Sequence, residues 1–347
     1  MPLLSLMIFV DKLKEKKALF LDDWKGLTVA RKVVQCTFTL YSIYIGYKFY
    51  HFYLWATGQS QIYVPRPPSV EAFLPISALV GLKQFIFTGI YDFVHPAGLT
   101  ILLAALAISL LFRRGFCGWI CPIGLLSEIL DWVGRKIGLG FKFVGLYAYP
   151  LYSIKYMLLG FFIYMIFWKM DIGQTMAFLK SPYNLVVDGK MLLFFLEPGR
   201  ISLLVLMGLI VLSLIVRNFW CRFACPYGAL LGIIAFLSPL YMRRDDKKCA
   251  HCKRCSEVCP GGIDVSSRSS VRVAECIGCM ECAGVCPEKG CLEPVIAGRI
   301  SLNPYIVGLG VVLLFLGAWL AAFLTGHWDN HVPAYMWRRF YMLFMGR

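Results

Sequence analysis

Apolar residues in this chain gather in long, nearly charge-free blocks instead of alternating with polar ones. A helix needs about 20 such residues to cross hydrocarbon roughly 30 Å thick. Five blocks are read as spans: residues 33–55, 93–112, 150–168, 201–216 and 303–326, of which the fourth, at 16 residues, is the shortest. Lys48 and His51 interrupt the first and Lys155 the third, while Arg200 and Arg217 bracket the fourth and can snorkel to its ends. Three further apolar stretches, 71–92, 185–196 and 227–242, read as interfacial or re-entrant helices. The opening residues 1–10 read as a surface-lying helix and not as a signal peptide, because no basic residue precedes them and no small-residue cleavage site follows.

Charge then sets the orientation. With five spans, 24 of the 35 Lys and Arg residues fall on the side of residues 1–32, 113–149 and 217–303, against 9 on the other side. The positive-inside bias makes the first side cytoplasmic, at the inner membrane of a prokaryote. Composition agrees: 59% hydrophobic, 16% charged and a net charge of +15 exclude an ordinary soluble globule. The segment 1–32 is expected to be a solvated or lipid-facing basic arm; it carries no nucleic-acid-binding motif.

The 14 cysteines carry the chemistry. Between the fourth and fifth spans lies a polar insert, 243–299, with Cys249-x2-Cys252-x2-Cys255-x3-Cys259-Pro260 and then Cys276-x2-Cys279-x2-Cys282-x3-Cys286-Pro287. Each half matches the bacterial ferredoxin run for a [4Fe-4S] cluster, in which the fourth cysteine serves the other cube. Carried over residue by residue, Cys249, Cys252, Cys255 and Cys286 hold one cluster, and Cys276, Cys279, Cys282 and Cys259 hold the second. Structural zinc would not require two copies of the run, and the cytoplasmic side disfavours disulfides. Lys247, Lys248, Lys253 and Arg254 crowd the first run. They can raise its potential, form a docking face for an acidic partner, or face anionic lipid.

A second motif repeats. Cys117-Gly118-Trp119-Ile120-Cys121-Pro122 recurs as Cys221-Arg222-Phe223-Ala224-Cys225-Pro226, each after a span running outside to inside, so the repeats are parallel. Proline at the first helical position puts Cys121 and Cys225 at helix amino termini, where the dipole is expected to favour thiolate. With these motifs the chain resembles the NapH/MauN family of ferredoxin-type membrane proteins, and is similar to the membrane and ferredoxin half of NosR-type regulators. The resemblance implies electron transfer between the membrane quinone pool and partner redox protein subunits. Three readings of Cys117, Cys121, Cys221 and Cys225 stand open: a shared metal or third iron-sulfur centre, redox thiols, or packing. Cys36 and Cys291 have no partner in spacing and read as inert.

The expected architecture is therefore an α-helical integral membrane protein of about five transmembrane helices with an internal parallel repeat and an inserted α+β two-cluster ferredoxin. Its parts are a cytoplasmic segment 1–32, a membrane domain 33–242, a ferredoxin domain 243–299, and a fifth span with outer tail, 300–347. Haem is not expected, since only His51 lies within a span and Cys-x2-Cys-His is absent. His51, His95, His327 and His331 fall near the outer ends of spans. With Lys48, Tyr91 or Asp92 they are candidates for a quinone or partner site, chiefly His51 and His95, against a role as interfacial anchors. The competing function is a copper or disulfide reductase, or assembly factor, working through the Cys-x3-Cys-Pro cysteines.

Overall fold

A computed structural model describes residues 25–143 and 148–345; the helix expected at 1–10 and most of the basic arm lie outside the described residues. Helix α1, Lys25–Ala56, is 32 residues long and contains the first apolar block. A 3-10 turn, Pro68–Phe73, leads to α2, Pro75–Thr88, and α3, Pro96–Phe112. After the short α4, Gly115–Trp119, comes α5, Pro122–Lys136. Helix α6, Tyr149–Ile163, runs on through a π-helical turn, Tyr164–Lys169. Then follow α7, Ile172–Leu179, α8, Pro182–Leu185, α9, Val187–Leu196, and α10, Arg200–Ile215. A second π-helical turn, Trp220–Ala224, precedes α11, Pro226–Ala235. Pro75, Pro96, Pro122, Pro182 and Pro226 each open a helix. The N–H that proline lacks has no intrahelical acceptor at that position, so the chain turns sharply without losing a hydrogen bond.

Two helical stretches, Pro150–Lys169 and Pro304–Leu324, are long and apolar enough to cross a membrane. The pair α9 and α10 passes the same test together, as a broken span or re-entrant loop bent by 73°. Helices α2, α3 and α11 are apolar but shorter. The block expected at 93–112 forms a helix only from Pro96, because His95 and Pro96 break the chain at its start. The stretch 185–196 is the first arm of the bent pair.

The polar insert folds around a four-stranded antiparallel sheet of order β2-β1-β3-β4. Its members are β1, Leu240–Arg244, then helix α12, Arg254–Val258, β2, Ser270–Val271, helix α13, Glu281–Gly284, β3, Leu292–Ile296, and β4, Ile300–Ser301. Strand β1 aligns Leu240 with Ile296 and Arg244 with Leu292. The sheet thus starts three residues before the change in composition at 243. Its first residues, Leu240, Tyr241 and Met242, are buried and apolar, and so merge in sequence with the preceding apolar stretch. Helices α14, Pro304–Leu324, and α15, Ala334–Met345, complete the chain.

Helices α1, α3, α4, α11 and α14 share an apolar core with the sheet, in which Leu27, Ile108, Phe116, Trp119 and Val311 pack with Met242, Ile263, Val271, Met280 and Leu292. Polar clamps reinforce it. Arg31 has its side chain 1% exposed and donates through Nε to Gly118 O at 2.8 Å and through Nη1 to Glu281 Oε1 at 2.8 Å, while Nη2 pairs with Glu128. Thr28 adds a bond to Glu281 Oε2 at 2.8 Å. Arg31 is therefore not part of a solvated arm: the face of the last turns that carries Leu27 and Arg31 is buried against α5 and the ferredoxin fold, while Val29 stays exposed.

Removing one partner of a buried ion pair strands the other, at a cost of about 3–5 kcal/mol. Arg31→Met should accordingly loosen the junction, read as faster hydrogen exchange in α13 and earlier proteolysis between residues 243 and 299. The junction should also weaken in acid. Burial alone would raise the Glu128 carboxyl, but Arg31 and Lys32 override it and hold it below the usual carboxylate range. That contribution is complete above the ordinary carboxylate pKa and is lost as pH falls through the lowered value. Hydrogen exchange over a pH series, with Glu128→Gln as the control, checks it.

Candidate functional site

Both cysteine runs of the ferredoxin fold adopt the same local backbone. In the first, His251 and Lys253 have φ of 51° and 61°; in the second, Gly278 and Met280 have φ of 60° and 62°. These left-handed residues flank Cys252 and Cys279 and curl each loop back on itself, so that the third cysteine, Cys255 or Cys282, enters on a short helix. Such backbone is disfavoured for residues with a Cβ, yet three of the four positions are not glycine. At Gly278 the glycine is needed for a second reason, since a Cβ would lie 2.7 Å from Phe112 O.

Two cavities result. One, with about 400 Å³ free of protein atoms, is lined by Cys259, Cys276, Cys279 and Cys282 with Met242, Ile263, Val265 and Val271. The other, about 340 Å³, is lined by Cys249, Cys252, Cys255 and Cys286 with Arg244, Lys253 and Ser266. Each cavity thus gathers three cysteines of one run and the fourth of the other. Their settings differ. The first is walled by aliphatic side chains and pressed against α4, where Trp119 Nε1 donates to Gly278 O at 3.0 Å. The second opens outward, with Cys252 exposed. Lys247, Lys248, Lys253 and Arg254 all stay exposed around it.

Cys291 is not an isolated thiol: it is 2% exposed and lines the outward cavity. Burial pushes it up to about 12, while the backbone N–H of His251, followed by Arg244, holds the neighbouring Cys249 thiol below its usual range. Spacing could not reveal Cys291, because it lies outside both cysteine runs and reaches the cavity through the pairing of β3 with β1 beside Arg244. Cys36 is exposed.

The repeated motifs also match locally. Arg113, with φ of 59°, caps α3, and Asn218, with φ of 50°, lies three residues beyond the end of α10. Cys121 and Cys225 are the N-caps of α5 and α11, each in extended conformation before its proline. Helix α3 packs on α11 and α10 on α5, so the two units exchange their second helices. The dipole does not prevail over burial here. Desolvation pushes Cys121 up to about 12 and raises Cys221 and Cys225 as well, opposite to the thiolate character expected from the helix ends. Among the described residues, no three His, Cys, Asp or Glu side chains converge on a single metal ion.

The histidines are not brought together. The His51 ring packs against Tyr47 and Tyr50, at 4.6 and 5.9 Å between centroids. His95 has no exposed surface; its Nε2 donates to Asn184 O at 2.8 Å, and Nδ1 lies 3.3 Å from both Arg66 Nη2 and Glu71 Oε1. Direct contact between His95 and a quinone is closed in this structure. Arg66, buried between Glu71 (2.6 Å) and Asp188 (2.7 Å), binds the 3-10 turn to α9 in the same network. Its members lie up to 122 residues apart, so sequence spacing gave no sign of it. His327 packs on Tyr91 at 4.6 Å and His331 on Phe93 at 5.6 Å.

Comparison with known proteins follows the same division. A family model described as a 4Fe-4S binding domain matches residues 94–140 and 200–241, and one described as a 4Fe-4S dicluster domain matches 241–287. The Escherichia coli (strain K12) protein YccM, named for electron transport, is 36% identical over 326 residues, covering 92% of this chain and 91% of that protein. The ferredoxin-type protein NapH of the same organism is 27% identical over 206 residues, covering 56% of this chain and 68% of NapH. The chain belongs to the NapH-type family of ferredoxin-like membrane proteins. NirI of Paracoccus denitrificans is 32% identical over 208 residues, 56% of this chain and 28% of NirI. No solved structure matches the chain. Iron-sulfur binding and electron transport are thus properties of the family to which the two cavities belong.

At Gly118 the ferredoxin fold meets the first repeat so closely that a Cβ would stand 2.5 Å from Ile277 O. Gly118→Ala should therefore destabilise the junction and increase protease sensitivity of the ferredoxin segment. Gly160→Ala, on a helix with nothing within 4 Å of the added atom, should not.

Proposed function

We propose that this protein is a membrane-bound electron-transfer subunit that passes electrons between the quinone pool and a partner redox protein, by way of two [4Fe-4S] clusters. The observation that carries the reading is the pair of cavities with interleaved cysteine sets, one open to solvent and one wedged against the membrane domain. The donor sets fit the group: the inner cavity offers four thiols and the outward one five, the fifth being the buried Cys291, with no competing carboxylate or histidine in either wall apart from Glu288 beside Cys286. Cys249, Cys252, Cys255 and Cys286 would hold one cluster and Cys259, Cys276, Cys279 and Cys282 the other. When bound, each supplies a one-electron couple whose potential depends on charge, hydrogen bonding and solvent exposure.

The chain's own residues give the two sites different work. Lys253 and Arg254, with Lys247 and Lys248, surround the exposed Cys252 and offer an acidic redox partner a steering surface. Arg244 and the buried Cys291 thiol adjoin Cys249, and positive charge and hydrogen-bond donors near cluster sulfur favour the reduced state. On the other side, Trp119, Gly118 and Arg31 hold the buried site against the helices, excluding water from the route inward. We assign five spans, with the amino terminus and the ferredoxin fold in the cytoplasm and an internal parallel repeat. The exchanged packing of α3 on α11 and α10 on α5, the double match of one family model, and the 24 to 9 asymmetry of basic residues support this.

Anaerobically purified protein should show reduced-cluster EPR signals whose population responds to a quinol analogue or, after dithionite, to a quinone. Signals indifferent to both would overturn the quinone link. Cys252→Ser should remove or convert one centre and spare the other, whereas Cys291→Ala should keep both and make the potential of one more negative. Alkaline phosphatase fused after Lys180 should be active and after Lys289 inactive; the reverse would invert the orientation.

A further inference from the structure

The first repeat and the second bring their thiols to one place. Arg114 links them: its carbonyl accepts from Cys117 N–H at 3.0 Å and its Nη2 donates to Cys221 O at 3.4 Å, while a Cβ at Gly124 would lie 2.5 Å from Cys117 O and 3.9 Å from Cys121 Cβ. Cys121 and Cys225 stand at the amino termini of α5 and α11, with the Gly228 N–H directed to Cys225 Sγ at 3.3 Å. Both helix ends thus present positive charge to the thiols.

The same pocket buries cations that lack anionic partners. Arg114 is 2% exposed, within range of Cys117, Cys221 and Cys225, and close enough to Gly228 that a Cβ there would lie 2.5 Å from its Nη2. Its bonds are two long ones to carbonyls, Ala274 O and Cys221 O, both at 3.4 Å, and its Nε has no partner. Among the described residues, no carboxylate lies within 4 Å of it. Lys155 is fully buried beside it, with Glu275 at 3.5 Å as its ion-pair partner among the described residues. Two buried cations and two helix amino termini against one carboxylate leave positive charge uncompensated, and burying unpaired charge is costly. Four neutral thiols do not remedy this; four thiolates around an iron-sulfur core do, because such a group carries net negative charge. A zinc or copper ion would need the sulfurs to meet at one point, with metal-sulfur distances of about 2.3 Å, and no such convergence occurs among the described residues.

We propose that Cys117, Cys121, Cys221 and Cys225 hold a third [4Fe-4S] cluster across the two repeats, with Arg114 and Lys155 as its buried counter-charges. This cluster sits on the membrane side of the ferredoxin fold: Glu275, which meets Lys155, immediately precedes Cys276 of the inner cavity. As the next one-electron carrier between that cavity and the membrane, it deepens the electron-transfer reading and rests on it for its role, though not for its existence.

Iron and acid-labile sulfide analysis of the unmodified, anaerobically purified protein decides the matter without any variant. About 12 iron and 12 sulfide per chain are expected, against about 8 of each for the ferredoxin clusters alone. Cys117→Ser combined with Cys225→Ser should lose about four iron and leave the ferredoxin EPR signals in place. Arg114→Gln should keep the iron and move one reduction potential to more negative values. A count of about 8 in a protein whose clusters answer to quinol, or zinc or copper at one per chain, overturns the third cluster. About 12 iron in a protein that ignores quinol upholds it and overturns the quinone reading instead.

Discussion

The carbonyl of Gly118 is the point on which the arrangement turns. It belongs to the Cys117-x3-Cys121 turn, accepts from Arg31 Nε at 2.8 Å and from Gln35 Nε2 at 3.1 Å, and stands where Ile277 of the second ferredoxin run makes its closest approach. One backbone position therefore joins α1, the first repeat and the inner cysteine cavity. Glycine there permits the approach, and the buried guanidinium makes it specific, because Arg31 also reaches Glu281 and Glu128. An electron carrier needs such fixity: transfer between sites depends on a separation that does not fluctuate, and water excluded from the contact keeps the local dielectric low.

Much of this was legible in the sequence, for a physical reason. A cluster site demands a spacing, since a two-residue spacer is what lets a tight loop return sulfur to the same core, and so the eight ferredoxin cysteines and the two Cys-x3-Cys-Pro turns can be read directly. Proline at the first helical turn likewise fixed where α5 and α11 begin. Span limits were less legible. Hydropathy reports how apolar a stretch is, not whether it stays helical, and so it joined His95 to α3 and β1 to the stretch containing α11. What spacing could not convey were partners made by tertiary contact: Arg31 with Glu281, Arg66 with Asp188, and Cys291 with the outward cavity.

The expectation for Cys121 and Cys225 failed instructively. The helix ends are where they were expected, yet burial raises the thiols more than the dipole lowers them. A helix terminus contributes about 0.3–1 kcal/mol at an exposed site, whereas removing a thiolate from water costs several times that. At these positions burial outweighs the helix terminus.

Burial likewise connects the unpaired arginines. Arg113, Arg114 and Arg222 are each nearly fully buried, each leaves Nε without a partner, and none has a carboxylate within 4 Å among the described residues. Their remaining bonds go to neutral groups: Arg113 to Val273 O, Arg114 to Ala274 O and Cys221 O, Arg222 to Phe143 O, Arg217 O and Tyr152 OH. Arg222 also lies against Gly262, in the wall region of the inner cavity. A helical membrane protein does not keep three buried guanidiniums unpaired at one level unless negative charge is held nearby. On the proposed assignment the thiolate clusters supply it, and metal loading and folding of this junction would then be coupled through these arginines.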